Sequence, residues 1–484
     1  MRENGLMMQY FEWFVKDDGL LWKSLKEDAP HLKALGISAV WIPPCCKATG
    51  ANDAGYGVYD GYDLGEFEQK QTIRTKYGTK QELHEAIDAL HAQEIQVYAD
   101  IVINHKAGAD ETEKFRVVEV DPADRTTLIS AEYEIEGWTK FSFPGRKNKY
   151  SDFKWSWRNF SGTDFNKANG KKAIYLIRGE NKNWMPGVDT ERGNYDYLMF
   201  ADIDYNNPQV RVETMKWIDW FITETKVDGV RLDAIKHIND WFMRDFVNHI
   251  RETFGPEFYC VGEYWSPDKS KLENYMRNTD YQIDLFDVPL HYKFYQAGKE
   301  GKTFDMRTIF DETLVKKHKD IAVTFVDNHD SQPQEALQSF VEAWFKPLAY
   351  ALILLRSDGY PLLFYGDYYG ISGPKPIAGQ KENLDKLIQI RRENAFGEQF
   401  DFFDHNNIVG WVRAGNAAHP NGCAVLMSSG DTGEKTMFVG EMHGGEVWVD
   451  KMGFVPDAVI IDEKGQGLFK TNAGSVSVYV REEK

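Results

Sequence analysis

The chain has 484 residues, of which 42% are hydrophobic and 14% aromatic, enough to build a large core. At typical domain sizes that is about three domains, or one barrel with additions. The balance of 57 Lys and Arg against 75 Asp and Glu gives a net charge of −18, which speaks against a nucleic acid or an anionic membrane as partner.

In chain order, "MRENGLMMQYFEW" lacks the apolar core and cleavage site of a signal peptide. A soluble cytoplasmic protein is expected, with the mature form of a secreted one as the alternative. "GLMMQYFEW" reads as a strand, Leu25, Leu32 and Leu35 mark helical turns, and "ISAVWIPP" is a strand ended by prolines. Leu83, Ala86, Ile87 and Leu90 form a second helical stripe, followed by the buried strand "IQVYADIVINH" with Asn104 and His105 at its end. Residues 106–208 break the alternation, and "WTKFSFPGRKNKYSDFKWSWRNF" packs eight aromatics among Gly, Ser, Asn and Lys. A structureless loop of that length does not suit a barrel, so an inserted, mostly β subdomain is expected.

Alternation resumes with a helical stripe at Val210, Trp217, Ile218, Phe221 and Ile222, then strands near "DGVRLDA", "FYCVGEYW", "QIDLFDV", "IAVTFVDNHD" and "YPLLFYG". The apolar run "PLAYALILL" stops at Arg356, too short to span a bilayer. From about 396, "CAVLMSS", "KTMFVG", "EVWVD", "AVIID" and "SVSVYV" are short β runs divided by Gly and Asp, predicting an antiparallel sandwich. Cys45, Cys46, Cys260 and Cys423 form no CxxC pair and are too few for a disulfide framework, so neither a thiolate zinc site nor disulfides are expected.

Charged residues at strand ends carry the chemistry in barrels of this kind. In "VDGVRLDAIKH" the strand alternation puts Arg231 and Asp233 on one face and Val230 and Leu232 on the other. Glu263 in "VGEYW" and Asp330 in "FVDNHDS" end two further strands, as do His105 and His329. Three carboxylates at one rim suit glycoside hydrolysis, which needs one acid to protonate the leaving oxygen and one carboxylate to attack the anomeric carbon. An arginine beside a carboxylate favours its charged form. The alternative for Arg231 and Asp233 is a structural ion pair closing the barrel mouth.

The segments "DIVINH", "GVRLDAIKH", "GEYW" and "FVDNHD" resemble the four motif regions of the α-amylase superfamily. "MMQYFEW", "GYGVYDGYDLGEF", "NYDYLMFADIDY", "WFKPLAYALIL" and "FDHNNIVGW" are similar to the liquefying-type bacterial α-amylases over nearly the whole chain. The resemblance implies an α/β fold: a (β/α)8 TIM barrel, an inserted β-rich domain after the third strand and a C-terminal antiparallel β-sandwich. The boundaries expected are 1–104 and 209–395 for the barrel, 105–208 for the insert and 396–484 for the sandwich. It implies Asp233 as nucleophile, Glu263 as acid/base and Asp330 as stabiliser of the transition state. His105, Arg231 and His329 would line the attacked sugar's subsite, with Tyr56 stacking on its ring, unless Tyr56 is a core aromatic. Lys236 and His237 would contact the leaving-group side, and Trp13 and Trp265 are weaker candidates that can equally be packing residues.

One calcium follows from the same resemblance, held by Asn104, Asp196, Asp202 and the carbonyl of His237. Ca²⁺ takes six to eight oxygens, and Asp196, Asp202 and Asp204 cluster within nine residues. Relatives hold a larger cluster with acids where this chain has Ser161 and Met185, and a peripheral site where it has Asn407 and Ser429. The expected partner is an α-glucan (starch, glycogen or maltooligosaccharides) and the expected state a monomer. Rival readings are a transglycosylase or isomerase on the same scaffold, a non-catalytic starch-binding protein, and an unrelated metal-dependent barrel enzyme.

Overall fold

Eight short strands close a parallel barrel in the computed structural model, which describes residues 4–482. They are β1 (Met7–Gln9), β2 (Ala39–Ile42), β3 (Gln96–Ile101), β4 (Gly229–Leu232), β5 (Tyr259–Gly262), β6 (Asp284–Phe286), β7 (Ala322–Phe325) and β8 (Tyr360–Phe364). Each strand pairs in parallel with its neighbours in sequence order, and β1 closes the ring against β8, with Met7 beside Leu362. β2, β4 and β7 are buried at every position, because one face meets the barrel interior and the other the helices. The apolar runs expected from the sequence are these strands.

A helix follows each strand: α1 (Leu21–Leu35), α2 (Lys80–Ala92), α3 (Pro208–Thr225), α4 (Asp240–Phe254), α5 (Lys269–Asn278), α6 (Val288–Glu300), α7 (Lys346–Leu354) and α8 (Lys381–Glu393). Several starts are written in the sequence. Thr79 and Glu82 form a reciprocal capping box on α2, and Asn207 caps α3 just ahead of Pro208. Asn239, Asp268 and Asp287 cap α4, α5 and α6 through their side-chain oxygens.

Between β3 and α3 the chain builds a separate six-stranded sheet instead of a helix directly. In spatial order its strands are His105–Lys106, Ala201–Ile203, Phe160–Asn166, Lys171–Ile177, Glu111–Val120 and Tyr133–Lys140. The aromatics of the segment noted above pack here: Trp155 and Phe160 stack at 5.5 Å, and Phe141 lies against both Phe143 and Phe160. Arg146 reaches from this insert to Asp60 on the β2–α2 connection at 2.8 Å, with both side chains 1% exposed. Removing one partner of such a pair leaves a buried charge without its counter-charge. Arg146→Ala should therefore cost about 3–5 kcal/mol of stability, and Arg146→Met with Asp60→Asn should recover part of it; denaturant midpoints measure both.

After α8 the chain forms a second antiparallel unit. Gln399–Phe402, Ile408–Arg413, Cys423–Ser428, Ser475–Arg481, Val447–Asp450 and Val459–Ile460 make one sheet, and Gly433–Phe438 pairs with Gln466–Thr471 in a smaller one. Val412, Leu426, Met437, Trp448, Phe469 and Tyr479 fill the space between them. All four cysteines are buried and free. Among the described residues no helix is long and apolar enough to cross a membrane.

Candidate active site

The carboxyl ends of the strands open into a cleft of about 970 Å³, into which Tyr56, His105, Asp233, Lys236, His237, Glu263 and Asp330 all project, with Trp13 and Trp265 beside them. Arg231 lies beneath it on β4, fully buried. Its Nη1 donates to Asp233 Oδ1 at 2.6 Å and to Asp100 Oδ1 at 2.9 Å, and its Nη2 lies 3.7 Å from Glu263 Oε2. One guanidinium thus faces three carboxylates, which is a task for a planar fork and not for a point charge. Burial disfavours the Arg231 charge, but the Asp100, Asp233 and Glu263 carboxylates outweigh it and hold the guanidinium protonated.

Local backbone aims the second acid. Ala234 takes a left-handed conformation, φ 53°, unusual for a residue with a Cβ. Its N–H then donates to Glu263 Oε2 at 2.9 Å. Gly262 allows this turn to sit close, since a Cβ there would meet Ile235 Cδ1 at 2.4 Å. Burial pushes the Glu263 carboxyl up to about 8, against the pull of Arg231 and with the push of Asp233 and Asp330. It therefore carries a proton at neutral pH. Burial likewise raises Asp330 to about 7.

The aromatic wall is ordered. Trp13, Tyr56 and His329 lie nearly parallel, with centroids 5.2–6.0 Å apart and interplanar angles of 6–13°. Tyr56 donates its hydroxyl to Asp100 at 2.8 Å, which fixes the ring. His329 Nδ1 pairs with Gln9 Nε2 at 2.9 Å, while its Nε2 has no hydrogen-bond partner among the described residues and lies 3.4 Å from Asp330 Oδ2. His105 Nε2 pairs with the Tyr56 carbonyl at 2.9 Å. Burial holds both histidines low, hence neutral.

On the other side, Lys236 bonds Glu191 at 3.2 Å and the Trp265 carbonyl at 3.1 Å, and its ammonium lies over the Tyr195 ring. His237 Nδ1 meets the Tyr195 carbonyl at 2.6 Å, and burial lowers it to about 3. Trp265 Nε1 bonds Tyr292 at 3.2 Å and the ring packs on His291 and Phe325, so much of it serves the core.

Asp196 and Asp202 lie where the insert meets the barrel. Asp202 pairs with His105 across two strands, the Ile203 N–H donates to the Asn104 carbonyl at 3.0 Å, and the Tyr195–His237 bond brings residue 237 to the same place. Asp202 accepts from Ser161, and Asp196 accepts from the Met185 N–H at 2.9 Å. Burial raises both carboxyls well above their usual range, with the Asp204 charge adding to it at Asp196 and the Asp196 charge at Asp202. Two buried acids close enough for one to perturb the other are a hard oxygen pair whose burial a divalent cation would relieve. Asp204 is different: Lys182 Nζ holds it at 2.5 Å and also bonds the carbonyls of Arg158 and Phe160. No three His, Cys, Asp or Glu side chains converge as a metal cluster among the described residues.

Sequence reading did not single out several residues of this assembly. Asp100, an acid inside the apolar strand "VYADIV", gathers Arg231, Tyr56 and Trp41 Nε1; its charge among apolar neighbours was the available signal. Lys346 on α7 bonds Asp327 at 2.7 Å and also Asp367, and Asp327 accepts from Ser331. This buried network braces the turn that bears His329 and Asp330.

A parallel barrel with acids and an arginine at its catalytic rim is the framework of a glycoside hydrolase. Residues 21–402 match the family model described as alpha amylase, catalytic domain. The chain is 51% identical over 481 residues to an alpha-amylase of Bacillus licheniformis, covering 99% of this chain and 94% of that one. It is 44% identical over 493 residues to the cytoplasmic alpha-amylase of Escherichia coli, covering 99% of each. Among solved structures, an Anoxybacillus alpha-amylase shares the fold with a TM-score of 0.66 at 17% identity, over 100% of this chain and 98% of that one. The chain belongs to the alpha-amylase family.

Proposed function

We propose that this protein is an endo-acting α-amylase that hydrolyses α-1,4-glucosidic bonds of starch, glycogen and maltooligosaccharides with retention of configuration. The observation that carries the reading is Arg231 shared by Asp233 and Glu263 at the cleft floor. Asp233 attacks the anomeric carbon while Glu263 protonates the departing glycosidic oxygen, giving a covalent glycosyl-enzyme. Glu263, now ionised, takes a proton from water as it attacks, and the sugar leaves with its α configuration restored. Asp330 stabilises the distorted ring between these steps. Tyr56, His105, Arg231 and His329 bind the attacked sugar, and Lys236 and His237 the leaving side. The full-length relatives named alpha-amylase favour water over a sugar as acceptor, so a transglycosylase is the weaker reading. Incubation with soluble starch tests this: release of the α anomer and rapid chain shortening are expected, and initial release of the β anomer overturns it.

The same reading divides the chain into barrel (1–104, 209–395), insert (105–208) and C-terminal sandwich (396–484). It takes the protein as a monomer, and as cytoplasmic in keeping with the printed name of the Escherichia coli relative.

Asn104, Asp196, Asp202 and the His237 carbonyl would hold one Ca²⁺, which when bound ties the insert to the barrel and neutralises the buried acids. The Lys182 ammonium already compensates Asp204, Ser161 and Met185 supply no anion, and a thioether suits a hard cation poorly. At the periphery, the Asn407 amide is spent on the Lys302 carbonyl and Ser429. Metal analysis of dialysed protein should give one calcium per chain, and chelation should lower both melting temperature and activity. Two or more equivalents contradict the count; none, with full activity, removes the site.

A further inference from the structure

The loop after Asp330 carries a carboxylate that the mechanism above does not use. Glu335 lines the cleft with Trp13, Phe14, Ala336 and Leu337. It is half-buried, and among the described residues its side chain has no hydrogen bond and no ion pair. The residue before it, Gln334, is left-handed at φ 78°, a state that residues with a Cβ rarely adopt. Two bonds hold it there: the Gln334 N–H to Gln338 Oε1 at 2.9 Å, and Ser339 N–H to the Ser331 carbonyl at 3.0 Å. Backbone strain of this kind persists where the surroundings over-determine it, commonly at ligand sites.

The neighbouring groups are committed elsewhere. Glu12 accepts from the N–H groups of Phe14 and Ser372 and from Gln332, whose own oxygen accepts from the Trp13 N–H. Lys76 donates to the Trp13 carbonyl. These bonds fix the β1 loop to the β7 loop, so Glu335 and the Trp13–Tyr56 platform share one wall. Burial and the Glu12 charge push Glu335 up to about 7, so it can accept or donate toward hydroxyls.

Topology gives the side. The loops after β4 and β5 carry Lys236 and Trp265, whereas the loops after β1 and β7 flank β8 on the opposite arc of the ring. We propose that Glu335 is a specificity-determining residue that binds the hydroxyls of a glucose unit on the glycone side, beyond the sugar under attack. This rests on the assignment of Lys236 and His237 to the leaving-group side. A carboxyl has two adjacent oxygens that suit a vicinal diol, and the Trp13 ring that lines the cleft with it suits the apolar face of the same sugar.

The test compares maltoheptaose with maltotriose in Glu335→Ala and Glu335→Gln. A hydrogen bond to a charged group is worth enough that the maltoheptaose-to-maltotriose ratio of kcat/KM should fall roughly tenfold in Glu335→Ala. Glu335→Gln, which keeps the hydrogen-bonding shape, should lose less. The fall should lie in KM, with melting temperature unchanged, and the cleavage pattern of maltoheptaose should shift. An unchanged ratio, or an equal fall for both substrates, overturns the proposal while leaving starch hydrolysis intact. Absence of hydrolysis in the unaltered protein instead defeats the functional reading itself. Binding of maltoheptaose to Glu263→Gln, with and without Glu335→Ala, provides a second measure: equal affinity also overturns the proposal.

Discussion

Glu263→Gln is expected to lower starch hydrolysis by about 10²–10⁴-fold while fold and sugar binding survive, because an amide cannot protonate the leaving oxygen. The hydrogen bond from the Ala234 N–H reaches a carbonyl oxygen of glutamine as well as a carboxyl, so the turn should stay in place. The pH profile offers an independent reading. Glu263 must carry its proton to act as acid, and burial sets that proton's loss near pH 8. The unaltered enzyme should therefore slow as pH rises through about 8, and the residual activity of Glu263→Gln should lack that alkaline limb. Near-normal turnover in a folded variant would show that another group is the acid.

Arg231→Lys should be the next most damaging change, with kcat lowered by about 100-fold, the scale of losing one or two charge-assisted hydrogen bonds. Lysine keeps the charge but not the fork. It cannot reach Asp100 and Asp233 together while also facing Glu263. The buried carboxylates are then left with an incomplete counter-charge, so stability should fall as well. Kinetics and thermal denaturation on one preparation separate the two effects. Wild-type rates in a less stable protein would mean that Arg231 only closes the barrel mouth.

Local chemistry was the legible part of this chain. The apolar strands and the acids at their ends could be read because each signal lies within a few residues. Arg231 and Asp233 could be paired because strand alternation puts them on one face. Asp100 escaped notice because its partners are Trp41, Tyr56 and Arg231, the last 131 positions away, and no local pattern encodes such a meeting. The same holds for Lys346, whose buried ammonium sits in an apolar helix and looks anomalous until Asp327 and Asp367 are placed around it. Lys182 was also overlooked: from sequence it is one lysine in "ENKNW", and only the fold sets it among the carbonyls beside Asp204.

Closure of the barrel between Met7 and Leu362 has a consequence for how the chain comes off the ribosome. β1, β2 and β3 can pair as soon as they emerge, since they are consecutive neighbours. The free edge of β1 then waits for β8, and the free edge of β3 waits until the whole insert has been made and β4 follows. Such distant pairings form slowly, and an open strand edge is a template for the wrong partner. Nascent chains should thus depend on holding factors, and slower translation should lengthen the interval of risk. A chain stopped before Tyr360 is a sheet with an open edge, not a smaller barrel.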